Sequence, residues 1–86
     1  PHPIPWKMLS QVDTTGAPIA YYFRNGASVM CREVEEDVWR DLHVADAAKP
    51  YQCVVVNLDH EPNKRLATEM KVHWIPSVII MQNGAE

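Results

Sequence analysis

Eighty-six residues, 47% of them apolar and 22% charged, with a formal net charge of −3 at pH 7, fit one ordinary globular domain with a thin core, because a chain of this size buries only about 60% of its unfolded surface. Acids and bases are interspersed without a basic stripe, which excludes the electrostatic footprint of a nucleic-acid binder or of a polybasic membrane surface, and no apolar run is long enough to span a bilayer. The two cysteines, Cys31 and Cys53, are too few for a disulfide framework, and neither has a second cysteine at metal-ligand spacing.

The chain opens with PHPIP, where three prolines fix φ, remove donors and disfavour helix in the residue before each of them. Residues 1–16 therefore read as an extended N-terminal arm, and residues 17–86 as the domain. Ala17 to Phe23 is a short apolar and aromatic run between the Gly16 turn and an Arg24-Asn25-Gly26 break, which predicts a buried core strand. From Ser28 the period changes. Cys31, Val34, Val38 and Leu42 recur at steps of three and four, predicting one helix with Ser28 as its N-cap. The acidic run Glu33 to Asp37 lies in that helix's first half and reads as a solvated face.

Val44 to Ala48 predicts a short helical piece before Pro50, and Tyr51 to Leu58 is β-branched and nearly continuous, as in a strand covered on both faces. Strand, helix and second strand make a βαβ unit with a right-handed parallel crossover. A further helix is predicted over 62–71, with proline near its first turn and Leu66, Ala67 and Met70 on one face. After Pro76, Ser77 to Met81 reads as a strand running into an Asn83-Gly84 hairpin turn. Such a turn should lead into another strand, so the sequence reads as part of a longer protein.

Three landmarks in this order resemble the thioredoxin-like superfamily. The stretch Tyr22 to Arg32 is similar to an aromatic strand followed by Trp-Cys-x-x-Cys-Lys/Arg; Val56-Asn57-Leu58-Asp59 is similar to a strand ending in Asp; and Val72 to Ser77 is similar to Val-x-x-Ile/Val-Pro-Thr. Glu33 to Val44 looks most like the C-terminal domain of bacterial transmembrane thiol:disulfide interchange proteins. The resemblance covers residues 17 to 86. It implies an α/β thioredoxin-like fold, with a mixed central sheet and flanking helices, lacking the final strand and helix.

The resemblance also implies that Cys31 falls on the family's second cysteine and Ser28 on its first, nucleophilic one. Ala27 replaces the usual tryptophan, and Tyr22 stands where thioredoxins proper often keep a buried acid, a departure shared by the interchange-protein group. A serine hydroxyl cannot form a disulfide, so a single cysteine at this site cannot cycle between dithiol and intramolecular disulfide. Cys53, near the start of the second strand, lies too far along the sheet to substitute. For Cys31 the alternatives are an inert core thiol and a monothiol that forms mixed disulfides with a partner or a small thiol; Cys53 reads as structural.

Family members hold the proline corresponding to Pro76 in the cis form, which would leave the Ile75 backbone free to pair with an extended peptide. Trp74 beside it is either an exposed aromatic anchor or a core residue, and Trp39 reads as partly buried packing. The expected binding surface is thus Ala27, Val29, Met30, Trp74, Ile75 and Pro76, with a protein or extended peptide as partner. No cofactor, metal or nucleic acid is expected: His2, His43, His60 and His73 show no ligand spacing. A serine hydrolase built on Ser28, His73 and Asp59 would need those side chains within hydrogen-bond reach, which nothing in the sequence provides. The resemblance favours an extracytoplasmic, periplasmic setting, with any membrane tether outside this chain.

Overall fold

In the computed structural model, which describes residues 3–82, the first strand, β1, runs Ile19–Arg24 and occupies the centre of a three-stranded sheet. β2 (Gln52–Asn57) pairs with it in parallel, from Ile19↔Gln52 to Arg24↔Asn57. β3 (Ser77–Met81) pairs antiparallel on the other side, from Ile19↔Met81 to Phe23↔Ser77. The crossover between β1 and β2 carries α1 (Val29–Asp37) and α2 (Leu42–Ala47), and α3 (Glu61–Glu69) links β2 to β3. This is the mixed sheet with flanking helices that the thioredoxin-like resemblance implies. Among the described residues β3 is an edge strand; the Asn83-Gly84 turn lies outside them.

Alternation along the strands gives the sheet two different faces. Ile19, Phe23, Val54 and Val56 form the core with Ala67 of α3, and Leu66, Met70, Val72 and Ile79 pack around them. The opposite face carries Ala20, Tyr22 and Arg24 beside Cys53, Val55 and Asn57, the register partners of those three, and α1 meets it through Tyr22 and Glu35. Val78 and Ile80, opposite Tyr22 and Ala20, are exposed on this second face.

The proline-rich segment is not a free arm. Lys7 bridges Val54 in parallel, with its N–H donating to the Cys53 carbonyl at 2.9 Å and its carbonyl accepting from Val55 at 3.0 Å. Ile4 is buried, and a 3-10 turn spans Leu9–Gln11. Gln52 fastens the segment: its Oε1 accepts from Lys7 Nζ at 3.1 Å and Asp13 N–H at 3.0 Å, while its Nε2 donates to the Asp13 and Ala17 carbonyls at 2.7 and 2.8 Å. That uses both lone pairs and both hydrogens of the amide, the condition for burying one without penalty. Prolines exclude helix, but Ile4, Leu9 and Val12 still seek the core.

The first helix, expected to reach Leu42, is shorter, and the short helical piece expected over Val44 to Ala48 is α2. α1 stops at Asp37, and the Asp41 carboxylate accepts from the His43 and Val44 N–H groups at 2.7 and 3.2 Å, capping a new helix. Leu42 consequently lies in the first turn of α2 and is exposed instead of continuing the Cys31 face.

α3 ends in a Schellman arrangement, with Val72 N–H donating to the Ala67 carbonyl and Lys71 N–H to that of Thr68, and Lys71 at φ 60. That left-handed position costs an L side chain about 1 kcal/mol, which glycine avoids. Lys71→Gly should therefore raise stability by about 0.5–1 kcal/mol in urea denaturation. An unchanged or lowered midpoint would mean that the lysine side chain contributes more than its backbone costs.

Candidate functional site

Because β3 runs antiparallel to β1, its start at Ser77 lies beside the end of β1, and the residues before it share that end of the sheet with the loop into α1. The Ile75–Pro76 peptide bond is cis. Among the described residues neither the Ile75 N–H nor its carbonyl makes a hydrogen bond. Trp74, beside it, is 74% exposed, and across the site Val29 and Met30 at the start of α1 are 58% and 66% exposed. Ala27 is exposed as well. The tryptophan is thus on the surface and not in the core.

The loop from β1 to α1 is closed by its own polar groups. Asn25 Oδ1 accepts from Ser28 N–H at 2.9 Å, Asp59 Oδ2 accepts from Gly26 N–H at 2.9 Å, and Arg32 donates to the Gly26 carbonyl at 2.8 Å. A side chain at Gly26 would place a Cβ 2.9 Å from the Asp59 carboxylate oxygen and push that carboxylate out of its bond to the Gly26 N–H. Ser28 Oγ accepts from Cys31 N–H at 3.1 Å, the N-cap bond expected from sequence.

These bonds decide what the serine can reach. Its hydroxyl is engaged by the helix, Asp59 is engaged by Gly26, and the His73 ring lies against Trp74 with centroids 6.3 Å apart. The structure does not bring Ser28, His73 and Asp59 into a hydrogen-bonded chain. Cys31 lies in the first turn of α1, points inward and has 0% exposure; both it and Cys53 are free thiols. Burial pushes the Cys53 thiol above its ordinary value.

Beneath α1 lies a network that sequence reasoning missed. Glu35, expected on a solvated face with the rest of its acidic run, turns inward: its Oε2 accepts from Tyr22 Oη and Arg24 Nε, both at 2.8 Å. Glu33, Glu36 and Asp37 stay exposed. The missed signal is positional, since Glu35 is one helical turn beyond buried Cys31. Burial alone would raise the Glu35 carboxyl, but the bonds from Arg24 and Tyr22 and the Arg24 charge hold it below its usual value of 4.5. Burial, followed by the bond to Glu35 and its negative charge, pushes the Tyr22 phenol far up.

A carboxylate lowered in the folded state contributes stability above its unfolded pKa and loses it as pH falls through the folded value. The Glu35 contribution should be fully present above about pH 4.5 and vanish at lower pH. Glu35→Gln should therefore be less stable than the parent at neutral pH and converge with it as pH falls well below 4.5 in pH-dependent melts. Parallel acid limbs for the two proteins would remove Glu35 as the titrating group.

Together, the parallel β1–α–β2 crossover, the antiparallel β3, the helices on both faces and the cis proline at the end of β1 give the chain a thioredoxin-like fold. Two solved structures share this fold. A DsbH oxidoreductase superposes with a TM-score of 0.79 over 96% of this chain and 68% of its own, at 14% identity. Thioredoxin O2 from Arabidopsis thaliana, in its oxidized state, superposes with a TM-score of 0.69 over 93% of this chain and 76% of its own, also at 14% identity. Neither a protein-family model nor a curated protein sequence matches the chain.

Proposed function

We propose that this thioredoxin-like domain does not perform dithiol–disulfide exchange and serves as a protein- or peptide-binding accessory module. One observation carries the reading: the sheet end around cis-Pro76 combines an unpaired Ile75 backbone with exposed Val29, Met30 and Trp74. An extended peptide pairing with Ile75 would gain main-chain hydrogen bonds there, and the three side chains would supply apolar contact. Ser28 stands where the resemblance puts the nucleophilic cysteine, so exchange within this site lacks its attacking thiolate. The similarity to the C-terminal domain of transmembrane interchange proteins belongs to the same proposal, as does an extracytoplasmic setting.

A monothiol role for Cys31 requires an accessible sulfur, and its complete burial weighs against it. Alkylation followed residue by residue by mass spectrometry separates the two. Cys31 in the folded protein should label at least about 100-fold more slowly than in urea, as expected for a thiol exposed only through rare opening. Rapid labelling of the folded protein would overturn the purely recognitive reading in favour of mixed-disulfide chemistry.

A further inference from the structure

A second concave site lies on the α1 side of the sheet. Its floor is made by two neighbouring register pairs, Tyr22↔Val55 and Arg24↔Asn57. Its walls are Trp6 of the N-terminal segment and Trp39 and Glu35 of the α1 region, and it encloses about 370 Å³. That is the lower range of small-molecule pockets, which are largely apolar with a few convergent polar groups. Trp6, Tyr22 and Trp39 form one aromatic cluster with centroids 5.3–5.6 Å apart, and the two indoles meet at 73°, so the apolar walls form a corner.

The hydrogen-bond capacity left in this cleft is one-sided. Glu35 Oε2 already accepts from both Tyr22 and Arg24, and its Oε1 faces an Arg24 terminal nitrogen at 3.4 Å. Asn57 Oδ1 accepts from Asp59 N–H at 3.0 Å. Among the described residues the second terminal nitrogen of Arg24 and the Asn57 amide nitrogen have no partner. Unspent donors thus outnumber unspent acceptors, and a guanidinium edge suits a planar two-oxygen anion.

We propose that this cleft binds an aryl carboxylate, its ring in the Trp6–Trp39 corner and its carboxylate on the free edge of Arg24 and the Asn57 amide. The chemistry is shared by a free aryl-substituted acid and by the C-terminal aromatic residue of a peptide. It is independent of the surface around Pro76, and either can fail without the other.

The test follows the indole N–H resonances of Trp6 and Trp39 in the full chain during titration with 3-phenylpropionate, N-acetylphenylalanine and N-acetylphenylalanine amide. The acids should shift both resonances saturably, at about millimolar dissociation constants for ligands of this size, and the amide should bind at least about tenfold more weakly. Tighter binding of N-acetylphenylalanine than of phenylpropionate would identify a peptide terminus; the reverse order would identify a free acid. Asn57→Asp keeps the acceptor for Asp59 N–H but replaces the free donor by an anion, so it should abolish acid binding while leaving the spectrum folded. Arg24→Lys should weaken it about tenfold. Equal binding of acid and amide, no saturable shift, or undiminished acid binding by folded Asn57→Asp would each overturn the proposal.

Discussion

Replacing Ser28 with cysteine should give a chain that closes an intramolecular disulfide with Cys31. Residues three apart on an α-helix lie about 5 Å between Cα atoms, from the rise and radius of the helix, within the 4.4–6.8 Å that disulfides require. A thiol at position 28 would sit at the N-terminus of α1, where the helix dipole and unpaired N–H groups favour thiolate over thiol. Treated with oxidised glutathione, that thiolate should attack the glutathione disulfide and release one reduced glutathione. Cys31 should then displace the second, leaving Cys53 as the one free thiol of the variant.

The same substitution removes the oxygen that accepts from Cys31 N–H, at a cost of about 1 kcal/mol in the reduced state. Ser28→Ala should lose a similar amount and gain no disulfide, which separates the cap from the redox chemistry. Alkylation after denaturation counts the thiols. If oxidised Ser28→Cys still shows all of its cysteines free, positions 28 and 31 are not disposed as the thioredoxin-like resemblance implies. The proposed loss of function would then rest on more than one atom.

Much of the architecture was legible because periods of two and of three to four residues switch cleanly along the chain. The strand at Ser77–Met81 follows from a β-branched run after proline, and Ser28 as N-cap from its place before an apolar period. What escaped has a physical reason in each case. The hydrophobic period carried the first helix through to Leu42 because periodicity does not register a competing cap, and Asp41 supplies one. Composition assigned Glu35 to solvent with its acidic neighbours, whereas its partners Tyr22 and Arg24 lie on a strand 13 and 11 residues earlier. No local pattern reports such a meeting. Prolines hid the burial of Ile4, since their backbone restriction says nothing about where an intervening side chain points. At the candidate site the identities of Trp74, Ile75 and Pro76 were readable, but the exposure of Trp74 depends on packing.

Alanine at Trp74 and alanine at Phe23 should have opposite consequences, although each removes a large aromatic ring. Phe23, on the central strand β1, has 0% exposure and is packed in the core with Val54 and Val56. Truncating such a ring leaves a cavity that the neighbours fill only partly and costs about 3–5 kcal/mol. Total stability for a domain of this length is about 4–13 kcal/mol, so Phe23→Ala should lower the urea midpoint by a large fraction and weaken every binding function through unfolding. Trp74, 74% exposed, leaves no cavity, and its replacement should change stability by less than about 0.5 kcal/mol. Against an extended apolar peptide selected on the parent chain, however, loss of a central aromatic anchor should cost at least 2 kcal/mol, a drop in affinity of about 30-fold. Parallel urea melts and peptide titrations of the two variants distinguish scaffold from site. A Trp74→Ala protein that melts like the parent and binds the peptide equally well would remove the cis-Pro76 surface as the docking site, because Trp74, at 74%, is more exposed than Met30 or Val29 and lies next to the Ile75 backbone.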